Sequence, residues 1–380
     1  QACSYFALQL PHGWWLLGTD VQLASDIDRH QVEYFRRVAA HMQESDRVIL
    51  CNAEPHWIYA GAYGNMAPDY TENNLRFLEE KVLNRRVAVY VAGDLHHYRR
   101  HEAPDGRQKI TCGGGGAFLH PTHGPNVAEL EGGFTLRKSF PDEATSRRLC
   151  WGNLAFLWNN PKFGLVTAIL YLLTGWTVMA PIGHYGLDEI GPALRITLET
   201  ALNSPGAMFW AVTVFLGFAL FTDTHSRVYR WVAGSLHGLS HLLATFFVGW
   251  AATWFTTAVL GLGFRSIPQL VAAGLLIAAG GWIAGSVIMG LYLLISLNGF
   301  DRHANEAFSA LQIADWKSFL RLRIGANGDL TIYPIGFRTV SRKWTPGAES
   351  AQGADLRPAG GSPAELIEPP LVVRGKGGAA

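Results

Sequence analysis

The chain has 380 residues, with 31 Lys and Arg against 30 Asp and Glu and a formal net charge of +1 at pH 7. That balance gives no field to draw nucleic acid, and no nucleic-acid binding is expected. Charged residues make up only 16% and hydrophobic ones 49%, against about 25% charged in an ordinary soluble domain, and the deficit falls between about Phe163 and Phe300.

Residues 1–145 read as a soluble α/β unit. Ser4–Leu10 and Trp14–Thr19 are short strand-like runs separated by the turn signal Pro11-His12-Gly13. Gln31–Gln43 has helical spacing, with Val32, Phe35, Val38, Ala39 and Met42 on one face. Arg47–Cys51 reads as a buried strand. Thr71–Asn84 reads as a second helix, with Thr71 as its cap and Leu75, Leu78 and Val82 facing inward. Val87–Ala92 and Lys109–Cys112 are further buried strands. Alternation of strand and helix predicts a layered α/β sheet, and the unbroken apolar strands predict that both of its faces are covered. Cys3, Cys51, Cys112 and Cys150 have neither zinc-knuckle nor disulfide-framework spacing and read as reduced thiols.

Residues 160–300 change character. Phe163–Ile182, Ala207–Phe221, Leu236–Leu262 and Gln269–Leu297 are long and nearly uncharged, which predicts about four transmembrane helices. Gly280, Gly281, Gly285 and Gly290 suit close helix packing in lipid. Basic residues concentrate on one side of these spans, at Arg147, Arg148, Lys162, Arg227, Arg230, Arg302 and Lys317, which places both soluble parts in the cytoplasm. The expected setting is a multi-pass integral membrane protein of the plasma membrane, with the lipid bilayer as partner. Residues 301–345 read as a small α+β unit. In it, Phe319–Ile324 and Leu330–Ile335 form a hairpin turned at Asn327-Gly328. The Gly-, Ala- and Pro-rich stretch 346–380 reads as a disordered tail.

Chemistry concentrates after the Val87–Ala92 strand, in Gly93-Asp94-Leu95-His96-His97-Tyr98. Ligands bind at the carboxyl ends of strands in open α/β sheets. In extended geometry Asp94 and His96 point to one side, as a carboxylate and imidazole metal pair would. Cys112-Gly113-Gly114-Gly115-Gly116 precedes His120 and His123. It lacks the Lys-Ser or Lys-Thr of a phosphate loop and reads equally as a tight connection under the site. Glu54 and His56 follow the Arg47–Cys51 strand on the same sheet edge and are further candidates. His237 and His241, four apart, share a helix face within an apolar run.

The run VAVYVAGDLHHYRRH followed by KITCGGGGAFLHPTH resembles the closing motif of calcineurin-like metallophosphoesterases. With segments similar to SYFALQLPHGWWLLGTDVQL and HANEAFSALQIADWKSFLRLRI, the chain resembles a membrane-linked subgroup of that family. The resemblance implies an α/β fold: a partial metallophosphoesterase β-sandwich flanked by helices, then an α-helical transmembrane bundle and a small C-terminal hairpin unit. It implies hydrolysis of phosphate mono- or diesters at a two-metal site holding divalent Mn, Fe or Zn. Gly93-Asp94-Leu95-His96 lies on the family's Gly-His-any-His, with Asp94 in the first histidine position. The expected metal ligands are His96, Asp94 and His97, with Glu54 standing where the family has a histidine. The family's opening motifs, Asp-any-His, Gly-Asp and Gly-Asn-His, are not found, so the sequence is read as a fragment that begins downstream of them with an incomplete site. The competing expectation is a non-catalytic, degenerate phosphoesterase-like scaffold or receptor.

Overall fold

The structure, a computed structural model, describes residues 3–21, 26–63, 73–84, 86–124, 126–182, 185–221, 226–350 and 353–375. The chain divides into two units, residues 1–148 with 312–380, and 149–311. The second is thus an insertion in the sequence of the first.

The first unit is mixed α/β. Its strands are β1 (Phe6–Gln9), β2 (Trp14–Gly18), β3 (Arg47–Asn52), β4 (Val87–Ala92), β5 (Tyr98–Glu102), β6 (Gln108–Cys112), β7 (Glu129–Leu130) and β8 (Phe134–Phe140). They form one sheet in the order β1-β2-β3-β4-β6-β5-β8-β7. The centre, β2-β3-β4-β6, is parallel, and both edges are antiparallel. Parallel strands need cover on both faces, and the apolar runs of β2, β3 and β4 supply the side chains for it. Trp15, Leu17, Val48, Leu50 and Val87 pack with Phe35 of α1 (Arg29–Ala39), Trp57 and Ile58 of α2 (His56–Tyr63), and Leu75 of α3 (Asn73–Phe77). Asp28 caps α1, accepting a hydrogen bond from the Gln31 amide at 2.8 Å. The cap expected at Thr71 lies outside the described residues.

The opposite face of the sheet meets a second one. In it β10 (Leu330–Phe337) pairs with β9 (Lys317–Ile324), β13 (Glu365–Leu366) and β14 (Leu371–Val373). Trp14, Ile49, Val89, Tyr98 and Ile110 share a core with Leu330, Ile332, Ile367 and Val373. The expectation of a disordered tail from 346 therefore needs correction: Ile367 and Val373 are 8% and 5% exposed, because a strand can be short and Pro-flanked and still bury its apolar side chains. Nor is 301–345 a unit of its own, since β9 and β10 share the core of the first sheet. A separate hairpin joins β11 (Trp344–Ser350) to β12 (Gly353–Pro358).

The chain leaves the first unit within α4 (Glu143–Cys150). The second unit is helical: α5 (Phe156–Asn159), α6 (Pro161–Ile182), α7 (Ile190–Asn203), α8 (Pro205–Leu220), α9 (Arg227–Trp254), α10 (Ile267–Phe300) and α11 (Ala304–Leu311). Two helices are long and apolar enough to cross a membrane, Arg227–Val259 with 33 residues and α10 with 34. A helix rises about 1.5 Å per residue, so each exceeds the roughly 30 Å of a bilayer core. The pair α7 and α8, bent by 101°, makes a third candidate if taken as one broken span. The expected count of about four is thus reduced to two or three among the described residues. The second expected span, Ala207–Phe221, is one arm of the bent pair. The first corresponds to α6, of which the side chains of 178–181 lie outside the described set.

Candidate functional site

Strand β4 ends at Ala92, and the next residues do not continue extended. Asp94 has φ +54°, and the Leu95 and His97 amides bond to the carbonyls two residues back, at 2.6 and 2.7 Å. The expectation that Asp94 and His96 share a side through extended geometry is corrected: a tight bend carries them. Aspartate is among the few side chains that tolerate this backbone region.

The bend is fixed from two sides. The Gly93 amide donates to the Ala53 carbonyl at 3.1 Å, tying it to the loop after β3. The glycine run after β6 comes against it closely. A Cβ on Gly113 would stand 2.4 Å from the Leu95 carbonyl oxygen, and one on Gly116 would stand 2.2–2.4 Å from the His96 ring. Gly113 thus permits close approach of two backbones and Gly116 makes room for the His96 ring, the tight-connection alternative of the sequence reading.

Two expected ligands have partners that orient them. His96 Nδ1 lies 2.8 Å from the Phe118 carbonyl oxygen. A carbonyl only accepts, so Nδ1 carries the proton and Nε2 keeps its lone pair. The His96 ring also stacks on His120, with centroids 4.2 Å apart. Asp94 is exposed, and its Oδ2 accepts the Tyr59 hydroxyl at 2.5 Å. A metal-ligating histidine typically gives its other N–H to a carbonyl or carboxylate, and a ligating carboxylate is itself hydrogen-bonded. Lys317, from β9, donates its ammonium to the Gly116 carbonyl and so brings a cation to the glycine loop. Sequence reasoning missed Tyr59 and Lys317, which lie 35 residues before Asp94 and 201 after Gly116; only the fold brings them in.

The other expected ligands are placed differently. His97 is 1% exposed, and neither ring nitrogen is in hydrogen-bond geometry with a described residue, although the His120 backbone lies near. Burial, reinforced by the Arg99 guanidinium, holds His97 well below the ordinary histidine range. The same guanidinium opposes a metal cation there. Glu54 is half-buried, one residue beyond the Ala53 carbonyl that meets Gly93. His56 turns elsewhere, its Nδ1 3.2 Å from Asn52 Nδ2 and its Nε2 3.4 Å from Glu79. His123 is buried, with Nδ1 2.7 Å from the Ser146 hydroxyl. Among the described residues no three His, Cys, Asp or Glu side chains converge as a metal cluster. The set His96, Asp94, His97 and Glu54 is therefore not gathered at one point.

A cavity of about 880 Å³ opens beside the start of β3 and β4, at Arg47 and Val87. It is lined by His56, Trp57, Glu79, Arg107, Lys109 and Phe134 among others. It lies at the opposite strand ends from Asp94 and His96. The Lys109 ammonium is 4.4 Å from the Phe134 ring centre, so the aromatic wall already holds a cation of the chain itself.

In the helical unit, His237 and His241 share a face as expected, with their Nε2 atoms 3.2 Å apart. The Tyr171 hydroxyl is 3.0 Å from His241 Nδ1, and the His237 ring stacks on Tyr292 at 4.0 Å. Two nitrogens at 3.2 Å share one proton, which accounts for the pair without a metal.

No protein-family profile, no curated protein and no solved structure matches this chain.

Proposed function

We propose that the chain belongs to a membrane-anchored, metal-dependent phosphoesterase acting on phosphate mono- or diesters, with Asp94 and His96 as metal ligands. The observation that carries this reading is the orientation of both groups. Phe118 fixes the His96 tautomer so that Nε2 is unprotonated, and Tyr59 holds one Asp94 oxygen while the other remains for an ion. Two sheets facing each other with helices on the outer side agree with the β-sandwich that the sequence resemblance implies. Divalent Mn, Fe or Zn would there polarise a phosphoryl oxygen and stabilise the attacking and leaving oxygens. Two ions about 3.5–4 Å apart need bridging and terminal carboxylates beyond this pair. Phosphodiester turnover by these residues alone is therefore expected to be slight. In this reading the long apolar helices anchor the enzyme in the plasma membrane, with the soluble unit on the cytoplasmic side, where basic residues flank the spans.

Metal content of the purified chain, measured by mass spectrometry, tests the proposal. Stoichiometric Mn, Fe or Zn is expected in the wild type and none in the Asp94→Ala, His96→Ala double variant. Tyr59→Phe is expected to weaken binding roughly 10-fold or more, as loss of outer-shell partners does. Equal metal in wild type and double variant would sink the ligand assignment. Absence of metal from both would favour the second reading, a non-catalytic phosphoesterase-like scaffold. That reading draws on the lack of a three-ligand cluster among the described residues.

A further inference from the structure

Helix α7 carries an apolar edge that no described residue of its own unit covers. The helix divides into three sectors at about 100° per residue. Ala193 and Thr197 are buried against the helical unit. Leu194, Leu198 and Leu202, each four apart, are 37%, 55% and 71% exposed. Further round, Arg195 and Glu199 pair at 2.8 Å on the exposed surface. An apolar edge of this size facing water beside a charged one is costly for a soluble surface and ordinary for a helix lying in a membrane interface.

The chain itself sets the orientation. Asn203-Ser204-Pro205 ends α7 and starts α8. Ser204 is extended, φ −113° and ψ 111°, as the residue before a proline prefers. Its hydroxyl caps α8, accepting from the Ala207 amide at 3.4 Å. The two helix axes stand 101° apart. Helix α8 contains no charged residue and packs on α9, and its exposed large apolar side chains are Met208, Phe209, Val212, Leu216 and Leu220. Taken with α8 along the bilayer normal, a helix 101° from it lies close to the bilayer plane.

We propose that α7 lies in the membrane–water interface, with Leu194, Leu198 and Leu202 seated at the boundary of headgroups and acyl chains of a lipid bilayer. The Arg195–Glu199 pair then faces the headgroups and water. The proposal rests on the membrane reading of α9 and α10. Its favoured occupant is lipid because α7 belongs to the same helical unit as α9 and α10, the helices long and apolar enough to cross a membrane, and leads directly into the uncharged α8.

The test is nitroxide labelling of single introduced cysteines in the full chain, reconstituted in phosphatidylcholine and phosphatidylglycerol vesicles. Collision of each label with oxygen and with a water-soluble nickel chelate is measured. The labelled parent chain gives the background from Cys3, Cys51, Cys112 and Cys150. Leu198→Cys and Leu194→Cys are expected to favour oxygen several-fold, Glu199→Cys to favour nickel, and Leu291→Cys on the outer surface of α10 to favour oxygen more strongly still. Nickel preference at 194 and 198 means that the edge faces water, and low collision with both reagents means that protein covers it, whether a second copy or another partner. Either result overturns the proposal. Oxygen preference at 291 in the same sample shows that the membrane reading survives that loss, whereas nickel preference at 291 removes both.

Discussion

Arg99, Arg100 and His101 stand consecutively in β5 and are 6%, 7% and 0% exposed. Buried polar groups persist only with partners, and theirs come from far along the chain. Arg100 gives Nε and Nη2 to the two Glu368 oxygens at 2.9 and 2.7 Å. Arg99 Nη2 donates to the Thr122 carbonyl at 2.7 Å, and His101 Nε2 donates to that of Val127 at 2.7 Å. Read locally, Tyr-Arg-Arg-His-Glu is a polar loop, which is why β5 was not legible while Val87–Ala92, apolar throughout, was found residue for residue. Burial lowers Arg99 to about 10 and His101 to about 4. The imidazole is therefore neutral when folded, while in the unfolded chain it titrates near 6.5. Between those values the unfolded state binds the extra proton, so stability is full above about pH 6.5 and falls as the pH drops toward 4. The loss is on the order of 3 kcal/mol for a shift of this size. Buried His97 adds a loss of the same sign. Denaturant midpoints from pH 8 to 4.5 are expected to decline more steeply for the wild type than for His101→Gln, and parallel curves would refute the assignment.

At the scale of elements, glycines set the contact of α6 with α10. A Cβ on Gly285 would stand 2.5 Å from Thr167 Cβ, and one on Gly281 would stand 2.5 Å from Tyr171 Cβ. Both neighbours are attached directly to the α6 backbone, so neither can swing aside. The sequence showed these glycines as a packing face, and that is how they are used. It did not show the α7–α8 bend. The second apolar run expected from the sequence starts at Ala207 and so leaves out α7, where Arg195 and Glu199 interrupt Leu194, Leu198 and Leu202. Overpacking of this kind typically costs about 1–3 kcal/mol. Gly285→Val is accordingly expected to lower the thermal midpoint of the detergent-solubilised protein. Gly299→Ala, where nothing lies within 4 Å of the added carbon, should leave it unchanged or raise it slightly, since alanine is the better helix former. Equal midpoints for Gly285→Val and wild type would mean that α6 and α10 are not held at this distance.

For the whole molecule, the decisive fact is that the first unit is built from both ends of the chain. Leu330, Ile332, Ile367 and Val373 share one core with Trp14, Ile49 and Val89. A single core cannot be divided by a bilayer, so in the membrane reading residues 3–148 and 312–375 share one side and the chain between them crosses an even number of times. The helices α9 and α10 satisfy this by themselves. If α8 crosses as well, the count becomes odd, and α6, a 22-residue helix about 33 Å long, must supply the fourth crossing. Accessible cysteines at exposed Asp105 and Asn327, one from each end of the chain, are expected to react with a membrane-impermeant maleimide from the same side of sealed vesicles. A third at Asp188, between α6 and α7, separates the cases. Reaction from the same side as Asp105 means two crossings, and reaction from the opposite side means four. Labelling of Asp105 and Asn327 from opposite sides would contradict the shared core itself, and with it the fold of the soluble unit.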